Sequence, residues 1–275
     1  MKQTKILAST LLFVLTTAST MLFEHSMHDT LARRDLLYRV GGRTMASYLV
    51  YDSTLKGERP AVLIAPEWWG QDACERLTAD RLAQQGYAVL IVDLYGNGFA
   101  TANAGEASQH LDEAQKDSTT LSQRFIAAYD QLIMQPEVKP DSIAAVGFGL
   151  GGGVVIDEAR RGLGLKAVVD YYGGLNSVTH AASTETQTHP EILVLVGKND
   201  AYVDQTQIDS FVTEMKGANV NVNVQIFTQA YHDFARIDAD KLGEKNHLPL
   251  SYDREAAEKS WQAVKQLLER NLHSS

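Results

Sequence analysis

The sequence predicts a single α/β domain built on a mostly parallel, doubly wound β-sheet flanked by helices. From about Tyr38 onward, short apolar runs alternate with amphipathic stretches, the order typical of repeated β-α-β units. The runs at 89–92 and 192–196 are continuously apolar, which indicates strands that are covered on both faces and lie inside the sheet. Neither an internal repeat nor a Pro- or Ser-rich linker divides the 275 residues, so we expect one domain over residues 36–272.

The apolar runs predict the strands in chain order. We expect them at 44–51, 61–66, 88–94, 142–148, 167–172, 192–196 and 220–227. The last run alternates with Asn and Gln, which favours a position nearer an edge of the sheet. Helices are expected between the strands, at 72–85, 106–134, 151–161, 205–217 and 252–271.

The N-terminal residues 1–23 have the pattern of a targeting segment. Lys2 and Lys5 precede an uncharged apolar stretch that runs to about Phe23, the order typical of a signal peptide. An uncleaved N-terminal anchor is the alternative, because the stretch is near the lower length limit for spanning a bilayer. We therefore expect an exported protein, periplasmic or secreted.

Composition excludes some classes of partner. Hydrophobic residues make up 44% and charged residues 21%, an ordinary globular balance. The net charge of −9 argues against binding to nucleic acid, which requires clustered Lys and Arg. A small-molecule partner is expected, with no stable membrane partner unless the N-terminal segment stays uncleaved. The sequence does not predict an oligomeric state.

Polar side chains follow several predicted strands, and ligands of open α/β sheets bind beyond the carboxyl ends of their strands. Pro66-Glu-Trp-Trp-Gly70 follows one strand, and a glycine-rich turn at 147–153 follows another. Asp200 and His232 follow two consecutive late strands, the order in which a hydrolytic triad of this fold class presents its acid and its base. An Asp or a His alone in such a loop is ordinary, but together they favour a catalytic pair.

These motifs, with Asp93-Leu-Tyr-Gly96, together resemble the dienelactone hydrolase family from about Arg59 to the final helix. The resemblance implies an α/β-hydrolase fold, a Cys or Ser nucleophile with an Asp and a His, and ester or lactone substrates. It carries Glu67 over as an active-site carboxylate beside the nucleophile. Asp200 and His232 carry over as the acid and the base. A helix-capping role is the alternative for Glu67.

The turn at Gly149 departs from this family pattern. Hydrolases of this kind hold the nucleophile between glycines on a sharp turn from strand to helix, and the corresponding slot here is Gly149. The oxyanion hole uses backbone N–H groups, which the resemblance assigns to Leu150 and Trp68. Because glycine has no side chain that can attack a carbonyl, we expect hydrolysis that is weak and water-based, or lost. In the latter case the chain is a non-catalytic small-molecule-binding protein.

The same glycines fit a second motif. Gly147-x-Gly149-x-x-Gly152 opens a helix after a strand, and Asp170 ends the next strand, as in a dinucleotide-binding fingerprint. This hypothesis leaves Glu67, Asp200 and His232 unexplained, and the motif follows several strands rather than opening the fold. We therefore expect no cofactor. The histidines lack a paired spacing on one element, so no metal site is expected.

Overall fold

The computed structural model describes residues 30–117, 119–177, 181 and 189–273. The predicted signal or anchor at 1–23 lies outside these residues. Among the helices of the described residues, none is long and apolar enough to cross a membrane.

An eight-stranded sheet forms the centre of the fold, with the strand order β1-β2-β4-β3-β5-β6-β7-β8. β1 and β2 form an antiparallel hairpin, and β2 is antiparallel to β4, whereas all other neighbouring strands are parallel. The predicted α/β class with a mostly parallel sheet is therefore confirmed, and the last strand lies at an edge as expected. The strands are β1 Leu31–Val40, β2 Arg43–Asp52, β3 Arg59–Ala65, β4 Ala88–Ile91, β5 Val138–Phe148, β6 Ala167–Tyr171, β7 Glu191–Gly197 and β8 Val222–Phe227.

Helices cover both faces of this sheet. Within the described residues they are α1 Ala73–Ala83, α2 Ala104–Gln115, α3 Thr120–Ile133, α4 Leu150–Arg161, α5 Gln205–Gly217, α6 Ala239–Asn246 and α7 Arg254–Leu272. Several begin at an Asp or Asn whose side chain accepts a hydrogen bond from a first-turn N–H, as Asp72 does for α1 and Asp253 for α7.

The two faces of the sheet bury separate apolar cores because side chains alternate along a strand. In β3, Leu63 joins the core beneath α3, α4 and α5, which contains Phe125 and Phe211. Its neighbour Ile64 joins the core beneath α1 and α7, which contains Leu82. Both cores are continuous over the parallel strands, so the ends of these strands are held in fixed relative positions.

The element predictions differ from the structure in three places. β1 was not predicted, because the charged run 33–35 interrupts its apolar pattern, and the predicted domain boundary at residue 36 falls inside it. The single helix expected at 106–134 is two helices, because the Asp117 side chain accepts hydrogen bonds from the N–H and hydroxyl of Thr119 and turns the chain. The short, polar α6 was also missed; only Ala239, Leu242 and Gly243 in it are buried.

Candidate active site

Residues from four strand ends meet at one edge of the sheet. Glu67 follows β3, Gly149 follows β5, Asp200 follows β7 and His232 follows β8. A cavity of about 690 Å³ opens there, lined among others by Glu67, Trp68, Gly149, Leu150 and His232. Asp200 lies behind His232, with 0% of its side chain exposed. The structure therefore brings together all of the site residues that the sequence predicted.

The turn at Gly149 changes direction sharply between β5 and α4. Its φ of 49° and ψ of −112° lie in a region that L side chains rarely adopt. Its N–H donates to the carbonyl of Tyr171 at 2.9 Å, which ties the turn to β6. A Cβ at this position meets the Glu67 Cγ at 3.4 Å, an ordinary contact. The space beside residue 149 can therefore hold a small side chain.

Glycine is required at the neighbouring positions 147 and 151 for a different reason, which is the lack of space for a side chain. A Cβ at Gly147 meets the Gly151 carbonyl oxygen at 2.2 Å, and a Cβ at Gly151 meets the Ala65 carbonyl oxygen at 2.0 Å. Both distances are impossible for real atoms, so these two glycines allow α4 to approach β3 and β5 closely. They shape the turn, whereas position 149 faces the cavity.

Asp200 and His232 form a directed pair. His232 Nδ1 lies 2.9 Å from Asp200 Oδ2, and the other carboxylate oxygen accepts from the N–H groups of Tyr202 and Val203 at 2.8 and 3.0 Å. With Nδ1 hydrogen-bonded to a carboxylate, the proton of a neutral imidazole resides on Nδ1 and the Nε2 lone pair is free to accept one. This is the arrangement that general-base chemistry requires.

Aromatic rings hold the imidazole in place. The half-exposed Tyr202 meets it edge to face with ring centroids 4.6 Å apart, and the buried Tyr172 lies at 5.1 Å. Tyr172 has a φ of 45°, an uncommon conformation for a bulky residue. Its hydroxyl donates to Glu67 Oε1 at 3.2 Å, so Tyr172 connects the base to the carboxylate.

Glu67 is a buried carboxyl group at the base of the cavity, with 2% of the residue exposed. Burial raises its pKa well above the ordinary range, nearby Asp233 raises it further, and Arg236 opposes both. The structure gives no support to the alternative in which Glu67 caps the following helix, because the side chain of Asp72 caps α1. Glu67 is thus available to the cavity.

A cluster of charged side chains lies behind Glu67. The buried Arg236 contacts Asp72, approaches Asp238 at 2.8 Å through Nε, and lies 3.5 Å from Glu75 and 3.8 Å from Glu67. Burial raises the pKa of Glu75 well above normal. A second cavity of about 350 Å³ adjoins this cluster and is separated from the first by Glu67 and Tyr172, which line both.

The two predicted oxyanion donors lie on the cavity wall. Leu150 is the first residue of α4, so its N–H has no acceptor within the helix. Trp68 lies in the turn after β3 that is closed by the Gly70 N–H donating to the Glu67 carbonyl at 2.9 Å. The two Trp rings separate: Trp68 is half-buried and lines the cavity, whereas Trp69 is fully buried in a small core.

The dinucleotide-binding hypothesis fails at Asp170. This carboxylate is completely buried and accepts from the Gly173 N–H at 2.8 Å, so it cannot meet a ribose hydroxyl. A Cβ at Gly152 meets Asp170 Oδ1 at 2.0 Å, so this glycine accommodates a protein carboxylate rather than a pyrophosphate. Burial raises the pKa of Asp170 to about 7.

Cys74 is unsuited to act as a nucleophile in the first cavity. It lines the second cavity, with Sγ 3.2 Å from Asp238, and burial raises the pKa of its thiol to about 12. In the part of the chain that the structure describes, no group of three or more His, Cys, Asp or Glu side chains is arranged to hold a metal ion.

Sequence reasoning missed three residues of this site: Tyr172, Asp233 and Arg236. Two of them stand in the run His232-Asp-Phe-Ala-Arg236, where charged residues flank a core phenylalanine. That pattern was a usable signal, because charged side chains beside core residues are buried only when they are paired. Nothing in the local sequence distinguishes Tyr172 from a core tyrosine.

Comparisons with known proteins show the family and the fold of the chain. The profile of the dienelactone hydrolase family matches residues 45–272. A carboxymethylenebutenolidase of Pseudomonas putida is 31% identical over 194 residues, which are 67% of this chain and 78% of that protein. The crystal structure of a dienelactone hydrolase-like promiscuous phosphotriesterase from metagenomic libraries superimposes with a TM-score of 0.79 at 27% identity, covering 88% of this chain and 99% of that one. The sheet and its helices are thus an α/β-hydrolase fold.

Proposed function

Because the chain belongs to the dienelactone hydrolase family, we propose that it hydrolyses carboxylic esters or lactones weakly, with water in place of the side-chain nucleophile that Gly149 lacks. The observation that supports this proposal is the hydrogen bond of 2.9 Å between His232 Nδ1 and Asp200 Oδ2, with the imidazole on the same cavity as Gly149. A base that is already oriented can act on water as well as on a hydroxyl or thiol.

In the proposed reaction, the substrate carbonyl lies between Gly149 and the N–H groups of Leu150 and Trp68. Water bound beside Gly149 attacks the carbonyl carbon while His232 Nε2 takes its proton. The two N–H groups stabilise the negative charge on the carbonyl oxygen. The tetrahedral intermediate then breaks its bond to the alcohol oxygen, which receives the proton from His232. Triad enzymes stripped of a member retain roughly 10³- to 10⁴-fold acceleration over water, so weak activity is physically reasonable.

An assay with a p-nitrophenyl ester tests the proposal in four chains: the native protein, Gly149→Cys, Gly149→Ser and His232→Ala. We expect slow turnover by the native chain, a fall to background in His232→Ala, and a large gain in Gly149→Cys because a Cβ at 149 fits 3.4 Å from Glu67 Cγ. Intact-protein mass spectrometry should detect an acyl adduct in the Cys variant alone or in both substituted chains, and never in the native protein.

Equal rates in the native and His232→Ala chains would refute the water-based mechanism. If the native chain is inactive but binds the ester, and the two substituted chains are active, the protein is a non-catalytic binding protein on a hydrolase scaffold. The observation that supports this alternative is the glycine at position 149, which lines an otherwise formed cavity.

We propose further that the protein is exported, on the evidence of the Lys-then-apolar segment at 1–23. N-terminal sequencing of the protein recovered from a cell that secretes it should show cleavage near residues 18–24. Recovery in the membrane fraction with an intact N-terminus would instead indicate an anchor.

A further inference from the structure

Asp233 is a buried carboxyl group in contact with the proposed base that the mechanism above does not use. Only 1% of the residue is exposed, and its φ of 61° is uncommon for a residue other than glycine. Oδ1 lies 3.5 Å from His232 Nε2 and has no hydrogen-bond partner. His232 therefore has a carboxyl group at each ring nitrogen, Asp200 on Nδ1 and Asp233 on Nε2.

Glu67 and Asp233 are two buried carboxyl groups that interact electrostatically. Beyond the effect of burial, Asp233 raises the pKa of Glu67, whereas Glu67 lowers the pKa of Asp233. Burial raises the pKa of both groups, that of Asp233 to about 7. Arg236 lowers the pKa of Asp233, whereas Asp200 and Asp238 raise it. Asp233 therefore loses its proton before Glu67 does, and the first negative charge of the pair lies on Asp233.

We infer that Asp233 is a positioning residue for His232, and that the Glu67–Asp233 pair places one negative charge at Nε2 while a proton stays on Glu67. This inference rests on the proposed hydrolysis. The distance of 3.5 Å exceeds that of a normal N–H···O bond, so Asp233 does not occupy Nε2 and leaves it free to meet water. Asp233 instead holds a negative charge at a fixed position beside His232 Nε2, the nitrogen that is protonated during the reaction.

The proton balance of the reaction is then complete. A lone pair of water forms the new C–O bond, the water proton passes to Nε2, and the carbonyl π pair moves to its oxygen. The imidazolium now lies between the carboxylates of Asp200 and Asp233. When the bond to the alcohol breaks, its electron pair leaves with the alcohol oxygen, which takes the proton from Nε2. Asp233 exchanges no proton with the substrate, and the pair ends with the one proton it began with.

The test compares Asp233→Asn with the matched control Asp238→Asn. Both substitutions remove a carboxylate from the surroundings of Arg236, but the half-exposed Asp238 contacts Arg236 Nε and Cys74 and has no contact with His232. In the native chain we expect kcat/KM to rise through an ionisation near pH 7. Asp233→Asn should lack the part of this rise that comes from Asp233 and be about tenfold less active at pH 8, with little change at pH 5.5, whereas Asp238→Asn should keep the native profile.

A second variant separates charge from packing. Glu67→Gln is neutral at every pH, as Glu67 is while it holds the proton, so the rise that comes from the ionisation of Asp233 should stay near pH 7 whatever the overall rate. A uniform loss of activity at every pH in Asp233→Asn would assign Asp233 a merely structural role, and loss of the rise near pH 7 in Glu67→Gln would assign the ionisation to Glu67. Either result would overturn the inference.

A measurement that does not depend on catalysis separates a failure of this inference from a failure of the proposed function. The ¹⁵N resonance of His232 Nε2 should follow two ionisations in the native chain and in Asp238→Asn, and one in Asp233→Asn. A native chain with two ionisations and no hydrolysis refutes the proposed function and leaves the contact with Asp233 in place. A hydrolysing chain whose resonance and pH profile are unchanged by Asp233→Asn refutes the inference.

Discussion

Both carboxylate oxygens of Asp200 have hydrogen-bond partners, so Asp200 fixes the orientation of the His232 imidazole in addition to supplying a negative charge. One oxygen accepts two backbone N–H groups from the loop that follows, and the other accepts from His232. A side chain held in this way can present only one oxygen to the imidazole. An amide in its place points a donor at Nδ1 or loses the loop contacts, and either change disfavours the tautomer that leaves Nε2 free.

We predict that Asp200→Asn lowers ester hydrolysis by roughly 10²- to 10⁴-fold when it is introduced into the Gly149→Cys chain, in which we expect the higher activity. The matched control is Asp204→Asn, four residues later in the same loop. Asp204 caps α5 by accepting from the Gln207 N–H at 2.8 Å, and Asn caps helices equally well. The control should retain full activity; an equal loss in both chains would contradict the assigned orientation.

The sequence predicts the site residues that directly follow a strand. It does not predict the site residues that are buried and paired with distant parts of the chain. Asp200 and His232 follow consecutive strands and meet as expected. Tyr172 and Arg236 acquire their partners from segments more than 100 residues away, since Tyr172 meets Glu67 and Arg236 meets Asp72. Pairings of that kind depend on the packing of the whole sheet.

The helix α4 lies close against the sheet, and its glycines carry the contact. A Cβ at Gly151 falls 2.0 Å from the carbonyl oxygen of Ala65, a backbone atom that cannot move without disturbing β3. We predict that Gly151→Ala lowers the free energy of unfolding by about 3 kcal/mol, the upper end of the cost of overpacking. Urea unfolding followed by circular dichroism measures the change.

Gly217→Ala is the control for helix propensity. This glycine is the last residue of α5, and a Cβ there meets nothing within 4 Å. The substitution should raise the free energy of unfolding by about 0.5 kcal/mol, because alanine restricts the unfolded chain and favours the helix. A destabilisation of similar size in both chains would mean that the close contact at Gly151 is not the cause.

Elements are predicted well where apolar periodicity is unbroken and poorly where polar side chains act locally. The buried parallel strands β3 to β7 were found from their continuous apolar runs. The interruption between α2 and α3 depends on one side chain, Asp117, which bonds to Thr119 instead of leaving the backbone helical. Periodicity averages over such single contacts and therefore joined the two helices.

For the molecule as a whole, buried carboxyl groups make stability depend on pH. The pKa of Asp170 is raised to about 7 by burial, so the folded chain keeps a proton that the unfolded chain loses near pH 4. Since the folded state binds more protons between these values, stability falls as pH rises from about 4 to 7. Asp233 acts in the same direction.

We predict that Asp170→Asn removes part of this dependence. The amide oxygen can still accept from the Gly173 N–H, and an amide needs no proton to stay neutral. Relative to the native chain, the variant should gain roughly 2 kcal/mol in the free energy of unfolding between pH 5 and pH 8. Urea midpoints at the two pH values measure this gain. The exposed Asp141 supplies the control, and Asp141→Asn should show no such gain.

The α/β class and the order of most elements follow from the sequence because a parallel sheet buried on both faces imposes apolar runs at regular intervals. The hairpin β1–β2 could not be predicted from the sequence in this way. Its first strand lies at the sheet edge, where half-buried residues alternate with exposed residues such as Leu37. The cavity and its charged cluster form only when the ends of β3, β5, β6, β7 and β8 are assembled, so their volume and contacts are properties of the assembled fold.

A side chain introduced at position 149 should raise the proposed activity and lower the stability of the chain. At a φ of 49°, glycine is the residue that adopts the conformation without strain, and any nucleophile placed there is held at a cost of about 1–3 kcal/mol. Because Gly147 and Gly151 shape the turn, the side chain at 149 can change without rebuilding the surrounding backbone. A chain with glycine there avoids that strain, so Gly149→Cys should unfold at a lower temperature than the native chain.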